Sequence, residues 1–128
     1  MKSPNFLPIA FLAALAGFTL PAAADDVAAG ERVFKRCMAC HAVGEGAKNR
    51  VGPYLNGIVD NEIASVEGYS YSKAFLEKKE EGFVWTEEAL DHYLLKPNAA
   101  IKGTKMAFAG LPKAEDRANV IAYLKTFE

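Results

Sequence analysis

Both cysteines of this 128-residue chain lie in one five-residue segment, Cys37-Met38-Ala39-Cys40-His41, and this segment constrains the fold more than any other feature. Three uses of such a pair compete. A disulfide is the first alternative if the chain is exported. A thioredoxin-like redox pair needs a strand, a turn and a helix around it, whereas the residues before Cys37 read as helix. A zinc site usually needs four ligands, and the chain offers two cysteines and two histidines in total.

The spacing C-x-x-C-H is also the attachment signature of a c-type haem. Each thiol adds to one vinyl group of the porphyrin to form a thioether, and two intervening residues on a helical turn let both thiols reach the ring. The next residue then projects its imidazole toward the iron. We therefore predict one covalent haem c held through Cys37 and Cys40, with His41 as an iron ligand, over the three alternatives.

The first 24 residues have the order of a secretory signal peptide: Lys2, an apolar run over 6–20, Pro21 and the small residues 22–24. A retained membrane anchor is the alternative, but the run is shorter than the ~20 residues that span a bilayer. We predict removal of residues 1–24 and a single domain over 25–128 without a membrane anchor. Losing Lys2 leaves 14 basic and 16 acidic residues in that domain, a balance that argues against general nucleic-acid binding.

A second iron ligand can be sought by elimination, because a haem that only transfers electrons usually has Met or His opposite the first His. The chain has three methionines and two histidines. Met1 leaves with the leader, Met38 lies between the haem cysteines, and His92 lies off the apolar stripe of its helix, as a surface histidine would. Met106 lies in an irregular, glycine-bracketed loop over 101–110. Met is a common packing residue, but elimination and the loop favour Met106 as the second ligand.

Helical patterns recur along the chain, and no sustained strand alternation is present. The helices are predicted from Asp25 or Asp26 toward Cys40, over 72–79, from Thr86 to Lys96, and over about 114–126. The loops between them are long, which suits chain that wraps a cofactor better than a self-packed domain. The predicted class is all-α, with three main helices, one or two short helices and long loops around one haem.

Taken together, these features resemble class I cytochrome c, in particular the small bacterial periplasmic type that is similar to mitochondrial cytochrome c. The resemblance spans essentially all of residues 25–128 and its landmarks occur in the family order. They are Gly30 with Phe34, Cys37 to His41, Gly52-Pro53, Tyr69-Ser70-Tyr71, Trp85-Thr86, Tyr93-Leu94, Pro97, Gly103 to Met106, Phe108 to Gly110, and Ile121 to Leu124.

The resemblance implies roles for the residues around the haem. Pro53 would accept a hydrogen bond from the outer nitrogen of the proximal histidine, and Tyr71 and Trp85 would hydrogen-bond the buried haem propionate. Tyr93 would donate toward the sulfur of the Met ligand. These residues also have an ordinary reading as core aromatics, and it is their order along the chain that favours the functional one.

Further positions complete the comparison with the family. Thr104 would support the Met loop and Phe108 would shield the exposed haem edge, while Gly30 would let the first and last helices approach closely. The chain departs from the mitochondrial pattern at Asn61, where an Arg is usual, and at Phe75, where an Asn is usual. Both departures concern the surroundings of the buried propionate.

The function that the resemblance implies is a soluble periplasmic electron carrier, a monomer and not an enzyme. Its partners would be redox proteins such as a bc-type complex, a terminal oxidase, a reaction centre or a dehydrogenase. The alternatives are a peroxidase or gas-binding protein, which would need an open iron position, and a haem subunit of a larger oxidoreductase.

Charge is unevenly distributed, and basic residues cluster in the segments expected to frame the haem edge. These are Arg32, Arg36, Lys48, Arg50, Lys102, Lys105 and Lys113, whereas acids concentrate at Glu77, Glu80, Glu81, Glu87 and Glu88. Ordinary solvated charge is the alternative. The clustering favours a positive docking face that binds acidic partners weakly, rapidly and in a salt-sensitive way.

Overall fold

The computed structural model describes residues 26–128 together with Met1, Ser3, Pro4 and Gly17. The helices are α1 (Val27–Phe34), α2 (Lys73–Glu80), α3 (Glu87–Leu95), α4 (Pro97–Ala100) and α5 (Ala114–Leu124). Across 26–128 the sole β pairing is an isolated antiparallel bridge between Glu62 and Val84. The predicted all-α class, with long loops, is confirmed. The predicted signal peptide lies almost entirely outside the described residues and stays a prediction.

Side-chain caps start α1, α2 and α3. Asp26, Ser72 and Thr86 each accept a hydrogen bond from the backbone N–H three residues ahead, at 3.0, 3.2 and 3.1 Å respectively. Such caps satisfy backbone donors that have no partner inside the helix. Within the described part of the chain, no helix combines the length and apolar character needed to cross a membrane.

The ends of α1 and α5 differ from the sequence expectations. The α1 helix stops at Phe34, and the chain continues to Cys40 in turns rather than as helix. The α5 helix stops at Leu124, before the expected residue 126. Pro97 follows the end of α3 as expected, but it also begins the short helix α4, because a proline fits the first helical turn, where no N–H partner is required.

The first and last helices cross at Gly30. A Cβ atom at this position would fall on the backbone carbonyl of Asn119 and lie 2.8 Å from the Tyr123 Cβ, so only glycine allows this approach. Beside the crossing, the rings of Phe34 and Tyr123 are 5.5 Å apart, and Asp26 N–H donates to the Asn119 side chain at 2.9 Å. The expected close approach of the terminal helices is therefore present.

A buried arginine ties the second half of the fold together. Arg117 on α5 is 8% exposed, and its Nε donates to Asp91 Oδ1 of α3 at 2.7 Å. Its Nη1 donates to the carbonyl oxygens of Leu111 and Pro112 at 2.9 and 3.1 Å. One guanidinium thus joins α3, α5 and the segment that follows the Met106 loop. The sequence patterns gave no indication of this contact.

Candidate haem-binding site

A cavity of about 340 Å³ lies between the loops and the helices, within the size range of small-molecule and cofactor sites. All of the residues predicted to bind the cofactor line this one cavity, although they come from segments spread over more than half of the chain. They are Cys37, Cys40, His41, Pro53, Tyr71, Trp85, Tyr93, Thr104, Met106 and Phe108.

The two cysteines lie on the turns that follow α1. Both thiols are free and half-buried, and the Cys40 N–H donates to the Cys37 carbonyl at 3.1 Å. Burial raises the pKa of Cys37 to about 11, against the opposing effect of the nearby Arg36 charge. A redox-active cysteine is instead held as a thiolate, so the redox-pair alternative loses support. Within the described residues, no group of three or more His, Cys, Asp or Glu side chains is arranged to hold a metal ion.

The imidazole of His41 is held on two sides. Its Nδ1 lies 2.6 Å from the Pro53 carbonyl oxygen, so Nδ1 carries the donated proton and Nε2 is left with a free lone pair. A Cβ atom on Gly52 would lie 2.8 Å from Nδ1 and 3.0 Å from Nε2, so a side chain there would displace the ring. Burial lowers the pKa of His41, and the Pro53 hydrogen bond opposes this. The ring is therefore kept neutral, as a metal ligand must be.

Met106 is half-buried on a loop that glycines delimit. Gly103 and Gly110 adopt φ values of 91° and 110°, in the left-handed region that favours glycine. Inside the loop, the Thr104 hydroxyl accepts from the Met106 N–H at 3.4 Å. These contacts present the thioether side chain at the cavity wall.

The Tyr93 hydroxyl has a partner that the sequence analysis did not name. It pairs with Thr104 Oγ1 at 2.7 Å, and its donation toward the Met106 sulfur stays a prediction. Burial raises the Tyr93 pKa, and the Thr104 bond opposes this. Tyr93 therefore supports the Met106 loop through Thr104, whose hydroxyl contacts both the Tyr93 hydroxyl and the Met106 N–H.

Two further aromatic residues bring polar ends to the cavity. The Tyr71 hydroxyl accepts a hydrogen bond from the Val66 N–H at 3.0 Å, so its own proton is free to be donated. Trp85 is 3% exposed. The two positions that depart from the family pattern differ in their relation to the cavity: Phe75 lines it and Asn61 does not.

A set of contacts that sequence reasoning missed crosses the mouth of the cavity, and we call it the loop strap. Tyr69 donates its hydroxyl to the Val51 carbonyl at 2.8 Å. Lys105 donates to the Ser70 carbonyl, and its ammonium lies 4.8 Å from the centre of the Tyr69 ring. The strap joins the loop beside His41 to the loop that carries Met106. The one sequence feature that could have indicated the strap is the position of Lys105 directly before Met106.

The charges around the cavity are of one sign. Arg36 and Lys105 line the cavity, and among the described residues no acidic one does. All seven basic residues predicted to frame the haem edge are exposed, as are the five acids assigned elsewhere. His92 is exposed too, as expected for a surface histidine.

The donor set fits a c-type haem. The same largely apolar cavity is lined by two free thiols with two residues between them, by one imidazole with a free nitrogen and by one thioether. A soft sulfur opposite an imidazole is a known pairing for electron-transfer haem.

Comparisons with known proteins agree with this chemistry. The cytochrome c family model matches residues 27–128. The chain is 48% identical over 113 residues to cytochrome c2 of Blastochloris viridis, covering 88% of this chain and 87% of that protein. It is 54% identical over 100 residues to cytochrome c-550 of Ancylobacter novellus, covering 78% and 94% respectively. The solved structure of cytochrome c2 from Rhodospirillum centenum superposes with a TM-score of 0.75 and 43% identity, covering 80% of this chain and 98% of that one. The chain therefore belongs to the cytochrome c family: it is an electron carrier with one covalently bound haem c, and not an enzyme.

Proposed function

We propose that the protein is a periplasmic carrier that moves one electron at a time between redox complexes, with His41 and Met106 as the two iron ligands. The observation that carries the proposal is that one cavity brings together His41, Met106 and the two free thiols. Removal of the leader at residues 1–24 belongs to the same proposal, and its support is the signal-peptide pattern of the sequence.

When bound, the haem c supplies an iron that changes between Fe(II) and Fe(III). The protein keeps the ligands in place in both states. The Pro53 carbonyl holds the proton on Nδ1 of His41, so that Nε2 stays a lone-pair donor. The hydroxyls of Tyr93 and Thr104 fix the loop that presents Met106. A soft sulfur ligand and apolar walls both favour the lower-charged iron and raise the potential.

Docking follows from the charge at the cavity mouth. With Arg36 and Lys105 in its lining and no acid from residues 26–128 there, the mouth presents a positive field to a partner. We propose that the protein acts as a monomer. The proposed partners are the acidic faces of a bc-type complex, a terminal oxidase, a reaction centre or a dehydrogenase. Such contacts are fast and sensitive to salt, because screening shortens the reach of the exposed charges.

The test of the ligand assignment is Met106→Ala in the haem-loaded protein, with Met38→Ala as the matched control. Met38 is 52% exposed and lies outside the cavity lining. We expect Met106→Ala to lose the weak red absorption band of Fe–S(Met) bonding and to bind cyanide rapidly. Its midpoint potential should fall by on the order of 0.1 V, within the ≈ 0.8 V that axial ligands span.

Met38→Ala should keep the wild-type spectrum and potential. A Met106→Ala protein with an unchanged spectrum and potential would remove Met106 as a ligand, and the carrier mechanism proposed here with it. Rapid cyanide or carbon monoxide binding by the wild-type protein would instead favour the peroxidase or gas-binding alternative, since it requires an open iron position.

A further inference from the structure

The α2 helix is held to the rest of the protein differently from the other helices. None of its residues is fully buried, and its backbone does not closely approach that of the other four described helices; it reaches α3 through the ring of Phe75. The α2 side chains that reach the core are Ala74 and Phe75. The next residue, Leu76, is 48% exposed. Phe75 is therefore the one large side chain that α2 turns inward, beside a hydrogen bond from Lys79 Nζ to the Ala64 carbonyl at 3.2 Å.

The ring of Phe75 lies at the centre of an aromatic cluster in the cavity wall. It stacks on Tyr71 at a centroid distance of 6.2 Å and an angle of 17°. It meets Trp85 and Tyr93 at 5.9 Å each, at angles of 56° and 66°. These distances lie within the range of favourable aromatic pairs. All four residues line the cavity, so Phe75 is the ring common to three contacts.

The three partners of Phe75 each carry a polar group, and Phe75 carries none. The Tyr71 hydroxyl is held by Val66 N–H and the Tyr93 hydroxyl by Thr104, at 3.0 and 2.7 Å. A phenyl ring adds no donor or acceptor to this set. It fixes the three rings by packing, and it occupies space in which water would otherwise reach their polar ends.

We propose that Phe75 is a positioning residue, which docks α2 as a dry cover over the cavity and fixes the orientation of Tyr71, Trp85 and Tyr93. The proposal rests on the proposed function, because these rings are the ones expected to face the haem. An apolar cover limits water and polar groups near the iron, and the solvent access of a metal site sets its redox potential. Phe75 therefore contributes to a high potential without ligating the iron.

The test is Phe75→Asn in the haem-loaded protein, with Leu76→Asn on the same helix as the matched control. Trp85 is the single tryptophan of the chain, so its indole N–H gives one resolved NMR signal in the reduced protein. We expect Phe75→Asn to accelerate hydrogen exchange of that N–H roughly tenfold, the factor that follows from losing about one aromatic contact. The midpoint potential should fall in the same variant.

Two outcomes separate positioning from simple destabilisation. Phe75→Tyr, which restores the ring, should return both the exchange rate and the potential toward wild type, and Leu76→Asn should leave both unchanged. If Phe75→Asn does not fold, Phe75→Leu removes the ring without adding a polar group, and the same acceleration is expected. The inference is overturned if the Phe75 variant matches Leu76→Asn in either readout, or if Phe75→Tyr restores neither.

These results are independent of the iron ligands. The red absorption band of the wild-type protein and the Met106→Ala variant test the ligand assignment without involving Phe75. A wild-type band together with a Phe75→Asn protein that behaves like the control would refute the role of Phe75 alone.

Discussion

The crossing of α1 and α5 gives a sharp prediction for Gly30→Ala. In an isolated helix this change would be favourable by about 1 kcal/mol, because glycine is the poorer helix former. In this fold the added methyl falls on the backbone carbonyl of Asn119, which cannot move aside as a flexible side chain would. The two helices must separate, and the contacts beside the crossing must weaken.

The magnitude follows from those contacts. Overpacking costs about 1–3 kcal/mol. The hydrogen bond from Asp26 N–H to Asn119 is worth about 1 kcal/mol, and the Phe34–Tyr123 pair adds about 1 kcal/mol beyond its buried area. Against the gain in helix propensity, we expect a net loss of about 2–4 kcal/mol in the free energy of unfolding.

Urea unfolding of the haem-loaded protein, followed by circular dichroism, measures this loss. Ala28→Gly is the control, because Ala28 is exposed on the same helix and reports the propensity effect alone, a loss of about 1 kcal/mol. If Gly30→Ala were as stable as the wild type, or more stable, the steric argument for glycine at the crossing would be wrong.

Two further predictions concern single side chains. Asp91→Asn removes the negative charge beside the buried Arg117 guanidinium and leaves it with neutral acceptors only. Since Asp91 is 46% exposed, we expect a loss of about 1–3 kcal/mol by urea unfolding. A loss no greater than that of the exposed Glu88→Gln would contradict this. Burial raises the pKa of Tyr71 above its ordinary 10.0. The neutral Tyr71 side chain therefore contributes its full stability below pH 10. This contribution is lost as the pH rises past 10, because Tyr71 ionises first in the unfolded chain. Tyr71→Phe should therefore lose stability less steeply than wild type between about pH 9 and 11. Equal slopes of stability against pH in the two proteins would refute the raised pKa of Tyr71.

Two kinds of site residue could be predicted from the sequence: those in a local motif, and those of a type that is rare in this chain. The spacing of Cys37, Cys40 and His41 specifies one attachment chemistry. Met106 could be reached by elimination because the chain has so few methionines and histidines. The structure brings the expected residues to one cavity, while their individual roles toward the haem stay predictions.

The contacts that sequence reasoning missed are those between segments far apart in the chain. The pairing of Arg117 with Asp91, and of Lys105 with Ser70, depends on which loops meet in three dimensions. The contact of the Tyr93 hydroxyl with Thr104 is likewise not indicated by any local pattern. The end of α5 was misjudged by two residues, which is within the one or two residues by which helix ends fray.

The two proposed iron ligands are 65 positions apart in the sequence. The haem would be held covalently beside His41 and only by non-covalent contacts on the Met106 side. On the His41 side, thioethers to the neighbouring cysteines would keep the haem on the chain even after unfolding. On the Met106 side, the sulfur would be held by non-covalent contacts, among them the loop strap, the Thr104 hydrogen bonds and packing against the core. Local opening of that loop would leave a haem still tethered but with one bare coordination position. Damage to the strap would thus convert a chemically quiet carrier into a protein whose iron reacts with peroxide and small gases.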